Sequence, residues 1–250
     1  KWVALLPGSK RAKLCVGVPF LLETADRLAA LQPECRFLLP VAPTTSIKEL
    51  EHFLGSSNPI AADYESVISI VKPPEPNQPW ARFITKAGTV INLQEEHPAH
   101  GPLSQCDLAL TTVGANTAEL GALGVPMIVI VPTQHLAVMQ AWDGWIGLLA
   151  RLPGLRWCIG LLLSAWRLRR HGFLAWPNIS AGRMVVPERM GAISPQDIAN
   201  EADGWLSSPE RLNGLREDLR SLRGQPGAVS ALVQEVRDLL PKALGAFKGL

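Results

Sequence analysis

Hydrophobic and polar positions along the chain follow two periods. Continuous apolar runs stand at "WVALLP", "CRFLLPVA", "SVISIV", "TVINLQ", "DLALTTV" and "MIVIV". Between the first two lies "VPFLLETADRLAALQ", in which Phe20, Leu21, Ala25, Leu28 and Leu31 recur at helical spacing near one face. Thr45 to Leu54 predicts a short helix capped by Thr44 or Thr45, and "PPEPNQP" a proline-rich loop after the third run. Strands that are apolar at consecutive positions are buried on both faces. Separated by helices, they imply a parallel sheet covered on both sides. The expected fold is therefore α/β, a Rossmann-like doubly wound parallel sheet.

From Ser194 onward the period is helical in three segments. Ser194-Pro195 and Ser208-Pro209 each place a proline at the first helical position behind a serine cap. These segments are expected to be closing helices that pack on the sheet. The chain then divides into 1–193, the Rossmann-like unit, and 194–250, the helices.

Residues 142–176 break the alternation. They hold five of the eight tryptophans, and their longest uncharged stretch, Trp157 to Trp166, is ten residues. A spanning helix needs about 20. Trp and Arg beside Leu suit a segment lying in a membrane interface. An amphipathic hairpin packed on the domain or on a partner chain fits the same composition.

With 47% hydrophobic and 18% charged residues the chain can build a core, which argues against disorder. A net charge of +2 is too small to suggest nucleic acid, although Arg151, Arg156, Arg167, Arg169, Arg170 and His171 crowd one segment. Cys15, Cys35, Cys106 and Cys158 are scattered in apolar runs without a C-x-x-C pair, so they read as reduced core thiols of a cytosolic protein. The chain opens almost directly on a strand, with neither a Met nor a signal peptide, as if taken from something longer.

In an open parallel sheet, ligands bind beyond the carboxyl ends of the strands. Two loops fit. Gly8, Ser9 and Lys10 follow the first strand; Gly admits a ligand close to the backbone, and Ser and Lys can donate to phosphate. The spacing is not that of a P-loop, and a plain turn with a surface lysine fits it too. Gly114, Ala115, Asn116 and Thr117 then lead from a strand into a helix, whose free N–H groups make an anion site. Glu119 lies too deep in that helix to meet a phosphate, but it can accept from a ribose diol. That spacing suits a nucleotide, with diphosphate on the turn and ribose on the carboxylate. A solvent-facing glutamate is the alternative.

Three further features are less specific. In "WPNISAGRMVVPE", Asn178 offers amide contacts and Arg183 a donor fork; a capped turn with Arg183 pairing Glu188 is equally compatible. "EEHPAH" (Glu95, Glu96, His97, His100) has too few ligands on no common helix face for a metal, and is expected to be a polar loop beside the cleft. Gln134 and His135 follow the sixth run, where His135 faces the cleft or caps a helix. No metal and no cofactor are expected.

Three of these pieces together resemble the lipid-A-disaccharide synthase family, inverting glycosyltransferases with two Rossmann-like halves (the GT-B fold). "ALLPGSK" resembles its strand followed by G-S-R. "VGANTAELGALGVPMIVI" is similar to its S-G-T-A-T-L-E-A-A-L-L-G-V-P-M block, and "WPNISAGRMVVPE" to its P-N-[IL]-x-A-G-R-x-V-x-E block. The middle block with "PTQH" also resembles the peptidoglycan GlcNAc transferase, an alternative that the last block disfavours; a UDP-GlcNAc epimerase lacks that last block as well.

The resemblance implies a carboxyl-terminal GT-B half that binds UDP-sugar through Gly8, Ser9, Lys10, Gly114, Ala115, Asn116, Thr117, Glu119, Gln134, Asn178 and Arg183. It implies a lipid-linked acceptor, and a cytoplasmic protein peripheral to the inner membrane through 142–176. A homodimer formed by helical exchange, with the tryptophan-rich segment as a candidate, is part of the same implication. The catalytic base is expected in the amino-terminal half. Several positions depart from the family. Lys10 replaces its Arg, Val113 and Ala115 replace hydroxyl residues, and "HPAHGPLSQ" stands in place of a short helix. A catalytically degenerate module for membrane or partner docking is thus the competing expectation.

Overall fold

The computed structural model describes residues 1–55, 57–65, 68–135 and 172–224, together with 227, 230 and 232–237. The strands are β1 (Trp2–Leu6), β2 (Arg36–Pro40), β3 (Ile68–Lys72), β4 (Ala81–Thr85), β5 (Val90–Gln94), β6 (Leu108–Thr112), β7 (Met127–Pro132) and β8 (Glu188–Gly191). The helices are α1 (Arg11–Leu31), α2 (Ile47–His52), α3 (His100–Ser104), α4 (Ala115–Leu123), α5 (Trp176–Ala181), α6 (Pro195–Leu206) and α7 (Pro209–Leu222).

All eight strands join one sheet in the order β3-β4-β5-β2-β1-β6-β7-β8. From β5 to β8 every pairing is parallel. The expected α/β, Rossmann-like architecture is present. β6 is buried at all five positions, as its unbroken apolar run requires when helices cover both faces.

The parallel expectation fails at one edge. β4 pairs antiparallel with both β3 and β5. Its burial alternates residue by residue, so "ARFIT" lacks the continuous apolar run that marks the central strands. A tight turn closes the β4–β5 hairpin, with the Gly88 N–H donating to the Thr85 carbonyl at 3.0 Å. β8 was also unanticipated. It has four residues, all half-buried, at the other edge.

α1 starts at Arg11, seven residues before the periodic stretch, and carries Pro19 in its interior. A proline there cannot donate to the carbonyl four residues back, which is that of Cys15. Asn58 supplies the missing donor, its Nδ2 lying 2.7 Å from the Cys15 oxygen. α2 is capped by Ser46, and neither Thr44 nor Thr45 does so. The Ser46 side chain and Glu49 form a reciprocal capping box. The short helix expected to be missing before β6 is present as α3.

Of the closing helices, α6 begins at Ser194 in a capping box with Asp197. α7 begins with Pro209, but Ser208 makes no side-chain cap. α6 buries Ile198, Ala199, Ala202 and Leu206 in the same core as the sheet. It is tied to β8 by Arg189, whose Nε and Nη2 each lie 2.6 Å from the Glu201 carboxylate. Gln32 at the end of α1 reaches Asp203 at 2.6 Å. Most of the third helical segment lies outside the described residues; 232–237 is helical. The tryptophan-rich segment, apart from 172–176, also lies outside them. No helix among the described residues is long and apolar enough to cross a membrane.

Candidate functional site

The sheet order reverses direction at β1. The chain passes from β1 to its neighbour β2 on one side, and later returns to place β6 on the other. Ligands of doubly wound sheets sit beyond the carboxyl ends of such a pair. Leu6 of β1 is in register with Thr111 of β6, so the loops that follow emerge side by side. One is Pro7 to Lys10 and leads into α1. The other is Val113-Gly114 and leads into α4. Neither helix has a side-chain cap. Their first-turn N–H groups give the crevice two partial positive charges.

A cleft of about 540 Å³ opens here. Leu6, Gly8 and Ser9 form one wall, Pro40 to Pro43 a second, and His97 to Ala99 a third; Asn116 and Glu119 of α4 complete it. Gly8 has φ +100°, a conformation that side chains rarely adopt, and a Cβ there would press on Lys13 and Thr112 at 3.2 Å. Glu119 lies 3.2 Å from His100 Nε2 and remains about one-third exposed. Of "EEHPAH", Glu95 to Ala99 form a loop that meets this cleft through His97 to Ala99, while His100 opens α3. Among the described residues no group of three His, Cys, Asp or Glu converges into a metal site.

The structure thus gathers Gly8, Ser9, Asn116 and Glu119 around one space, with Lys10 and Ala115 exposed at the helix starts and Gly114 at the N-cap of α4. It assigns other work to four expected ligand residues. Thr117 is fully buried; its hydroxyl donates to the Gly114 carbonyl at 2.9 Å and accepts from the Trp176 N–H at 3.1 Å. Asn178 is also fully buried. Its Nδ2 donates to Val186 O and Glu188 Oε1, and its Oδ1 accepts from the N–H groups of Val185 and Val186. With both donors and both lone pairs used, Asn178 has nothing left for a ligand. Arg183 lies 3.5 Å from Asp218 of α7 and does not pair with Glu188. Glu188 instead receives the N–H groups of Leu174 and Ala175. Gln134 donates to Ile193 O at 2.8 Å. The His135 side chain lies outside the described residues. In this structure Thr117 and Asn178 fix the start of α5 against α4 and β8.

Lys13 is the residue that sequence reading missed. Its Nζ lies 2.5 Å from the Val113 carbonyl, joining the two glycine loops. Burial, and then the charge of Lys10, hold its pKa below the usual lysine value. A signal existed. Had α1 been started at Arg11, Lys13 would fall in its first turn beside the ligand end.

A larger cavity, about 810 Å³, opens at the amino ends of β1, β2 and β5 between Trp2, Trp80, Arg36 and Arg82. The β4–β5 turn with Gly88 lines it, and among the described residues no helix starts at its wall.

The chain is similar to proteins of known name. Over 239 residues, 94% of its length, the chain is 26% identical to the lipid-A-disaccharide synthase of Anaeromyxobacter sp. (strain K), covering 48% of that protein. It is 26% identical over 245 residues to the synthase of Syntrophus aciditrophicus (strain SB), covering 96% of this chain and 50% of that one. The chain is a relative of the lipid-A-disaccharide synthases. It spans about half the length of the synthases it matches. No family model matches it. Among solved structures, the glycotransferase of kitacinnamycin aligns with TM-score 0.38 and 16% identity, over 93% of this chain and 42% of that one. That likeness is too loose to carry a functional argument.

Proposed function

We propose that the chain is the nucleotide-sugar-binding, carboxyl-terminal half of a GT-B glycosyltransferase akin to lipid-A-disaccharide synthase. The reaction transfers an acylated glucosamine from UDP to a lipid-linked acceptor. The observation that carries this reading is the cleft at the switch point, where two uncapped helix starts and one carboxylate meet. The helix starts receive the diphosphate. Glu119 accepts from the ribose hydroxyls, and Ser9 and Asn116 line the space between. The leaving UDP is stabilised by backbone N–H groups that are already in place before the bond breaks. The acceptor hydroxyl needs a general base, which lies outside this chain, so the chain binds donor without turning it over. The protein works in the cytoplasm at the inner membrane, where its acceptor is, with 142–176 as the membrane-facing segment.

A docking module without catalysis is the second reading. It draws on Lys10, Val113 and Ala115, and on Thr117 and Asn178 being consumed by the fold. Thermal unfolding with UDP-GlcNAc, UDP and ADP separates the two. A ligand at 100 times its Kd adds about 2.7 kcal/mol of stability. The donor-half reading expects UDP and UDP-GlcNAc to raise Tm well above ADP. No shift with either uridine nucleotide would favour the module.

A further inference from the structure

Val113 and Ala115, on either side of Gly114, carry no hydroxyl toward the crevice. Two groups just behind them remain unspent. Thr112 is 4% exposed, and its Oγ1 is buried without a hydrogen-bond partner among the described residues. It faces the Gly8 loop, 3.2 Å from where a Cβ on residue 8 would sit. The neighbouring Thr111 hydroxyl, by contrast, donates to the Thr112 carbonyl at 3.1 Å. A buried hydroxyl without a partner costs the fold about 1–3 kcal/mol. Such a cost is tolerated where a ligand supplies the missing partner.

The second group is Lys13. An ammonium has three donors, and this one makes a single hydrogen bond among the described residues, to Val113 O. Its amine also sits 3.3 Å from where a Cβ on Gly114 would lie. It is therefore at the mouth of the second loop as well as the first. Cation, hydroxyl and two helix starts converge between the glycine loops, and all four favour an anion.

We propose that Lys13 and Thr112 form the floor of a diphosphate cradle. Lys13 exchanges the Val113 carbonyl for a phosphate oxygen, and Thr112 donates its unused hydroxyl. This rests on the nucleotide reading above. It adds that the phosphate recognition of this chain comes from α1 and the end of β6, beneath the turn that the sequence points to. Lys13 also latches the two loops together before a ligand arrives, so binding releases that latch.

The test is calorimetric titration of the 250-residue chain with UDP, UMP and pyrophosphate. The variants are Lys13→Met, Lys13→Arg, Thr112→Val and Thr112→Ser, each checked for fold by circular dichroism. Charge-assisted bonds of this kind are worth at least about tenfold in affinity. Lys13→Met is expected to weaken UDP and pyrophosphate by at least tenfold while weakening UMP less. Lys13→Arg retains most of the affinity. Thr112→Val weakens UDP severalfold, and Thr112→Ser restores it. A merely structural Lys13 would change Tm and leave the UDP-to-UMP ratio alone, and that result would overturn the proposal. Wild-type binding of UDP that survives both Lys13→Met and Thr112→Val would also overturn it, with the nucleotide reading intact. Failure of the folded wild type to bind UDP at all would overturn both.

Discussion

Asn58 Nδ2 donates to the Cys15 carbonyl at 2.7 Å, taking the place of the N–H that Pro19 lacks. The same amide donates to Phe53 O at 2.6 Å, and its oxygen caps the 3-10 turn at Ile60. Asn58 is 5% exposed, so truncation strands several backbone groups away from water. Asn58→Ala should cost about 3 kcal/mol, from the price of roughly two unmet buried partners. Pro19→Ala restores a donor for Cys15. In the Asn58→Ala background it should recover part of the loss, as urea unfolding of the double-mutant cycle would reveal. Strict additivity would mean that the Asn58 bond does not answer the proline.

Asn178 offers a different separation. As a ligand residue it would affect binding and spare stability. The structure instead has it holding Val185, Val186 and Glu188. Asn178→Ala should lower stability by about 3–5 kcal/mol, the scale seen for broken buried networks. Arg183→Ala, at an exposed pair with Asp218, should change it by less than about 1 kcal/mol. Thermal unfolding of the two variants side by side checks the contrast.

Cys106 gives a pH dependence with a definite sign. Burial, and then the charge of Asp107, push its thiol up to about 12 from an ordinary value of 9.0. A raised folded pKa means that the native thiol keeps its proton while the unfolded one gives it up. The stabilising contribution is complete below pH 9 and is lost as pH rises toward 12. One such group adds a slope of up to about 1.4 kcal/mol per pH unit. Urea unfolding at pH 8 and pH 10.5 should show wild type losing more stability than Cys106→Ala. Equal losses would mean that Cys106 is reached by water.

The sheet was legible where burial was complete. β1, β2, β6 and β7 are apolar at successive positions because helices cover both faces, and that pattern survives in the sequence. β4 alternates and β8 is half-buried throughout, so neither left an unbroken run. At the site, the glycine loops and Glu119 could be read because their residue types state their chemistry. The roles of Thr117, Asn178 and Arg183 could not. An amide or a hydroxyl looks the same in sequence whether its partner is a ligand or a backbone 60 residues away, as Trp176 is from Thr117 by about that span. Lys13 was missed because the apolar periodicity was read only from Val18, seven residues after α1 begins.

The central claim is that Glu119 and the two helix starts hold a uridine nucleotide at the switch point. The most direct measurement is calorimetric titration of the chain with UDP and UDP-GlcNAc, beside Glu119→Gln. The account predicts saturable binding of both to the wild type, weakened about tenfold in the variant by the loss of a charged acceptor. Binding of neither ligand to a folded chain would contradict it, as would equal binding by Glu119→Gln.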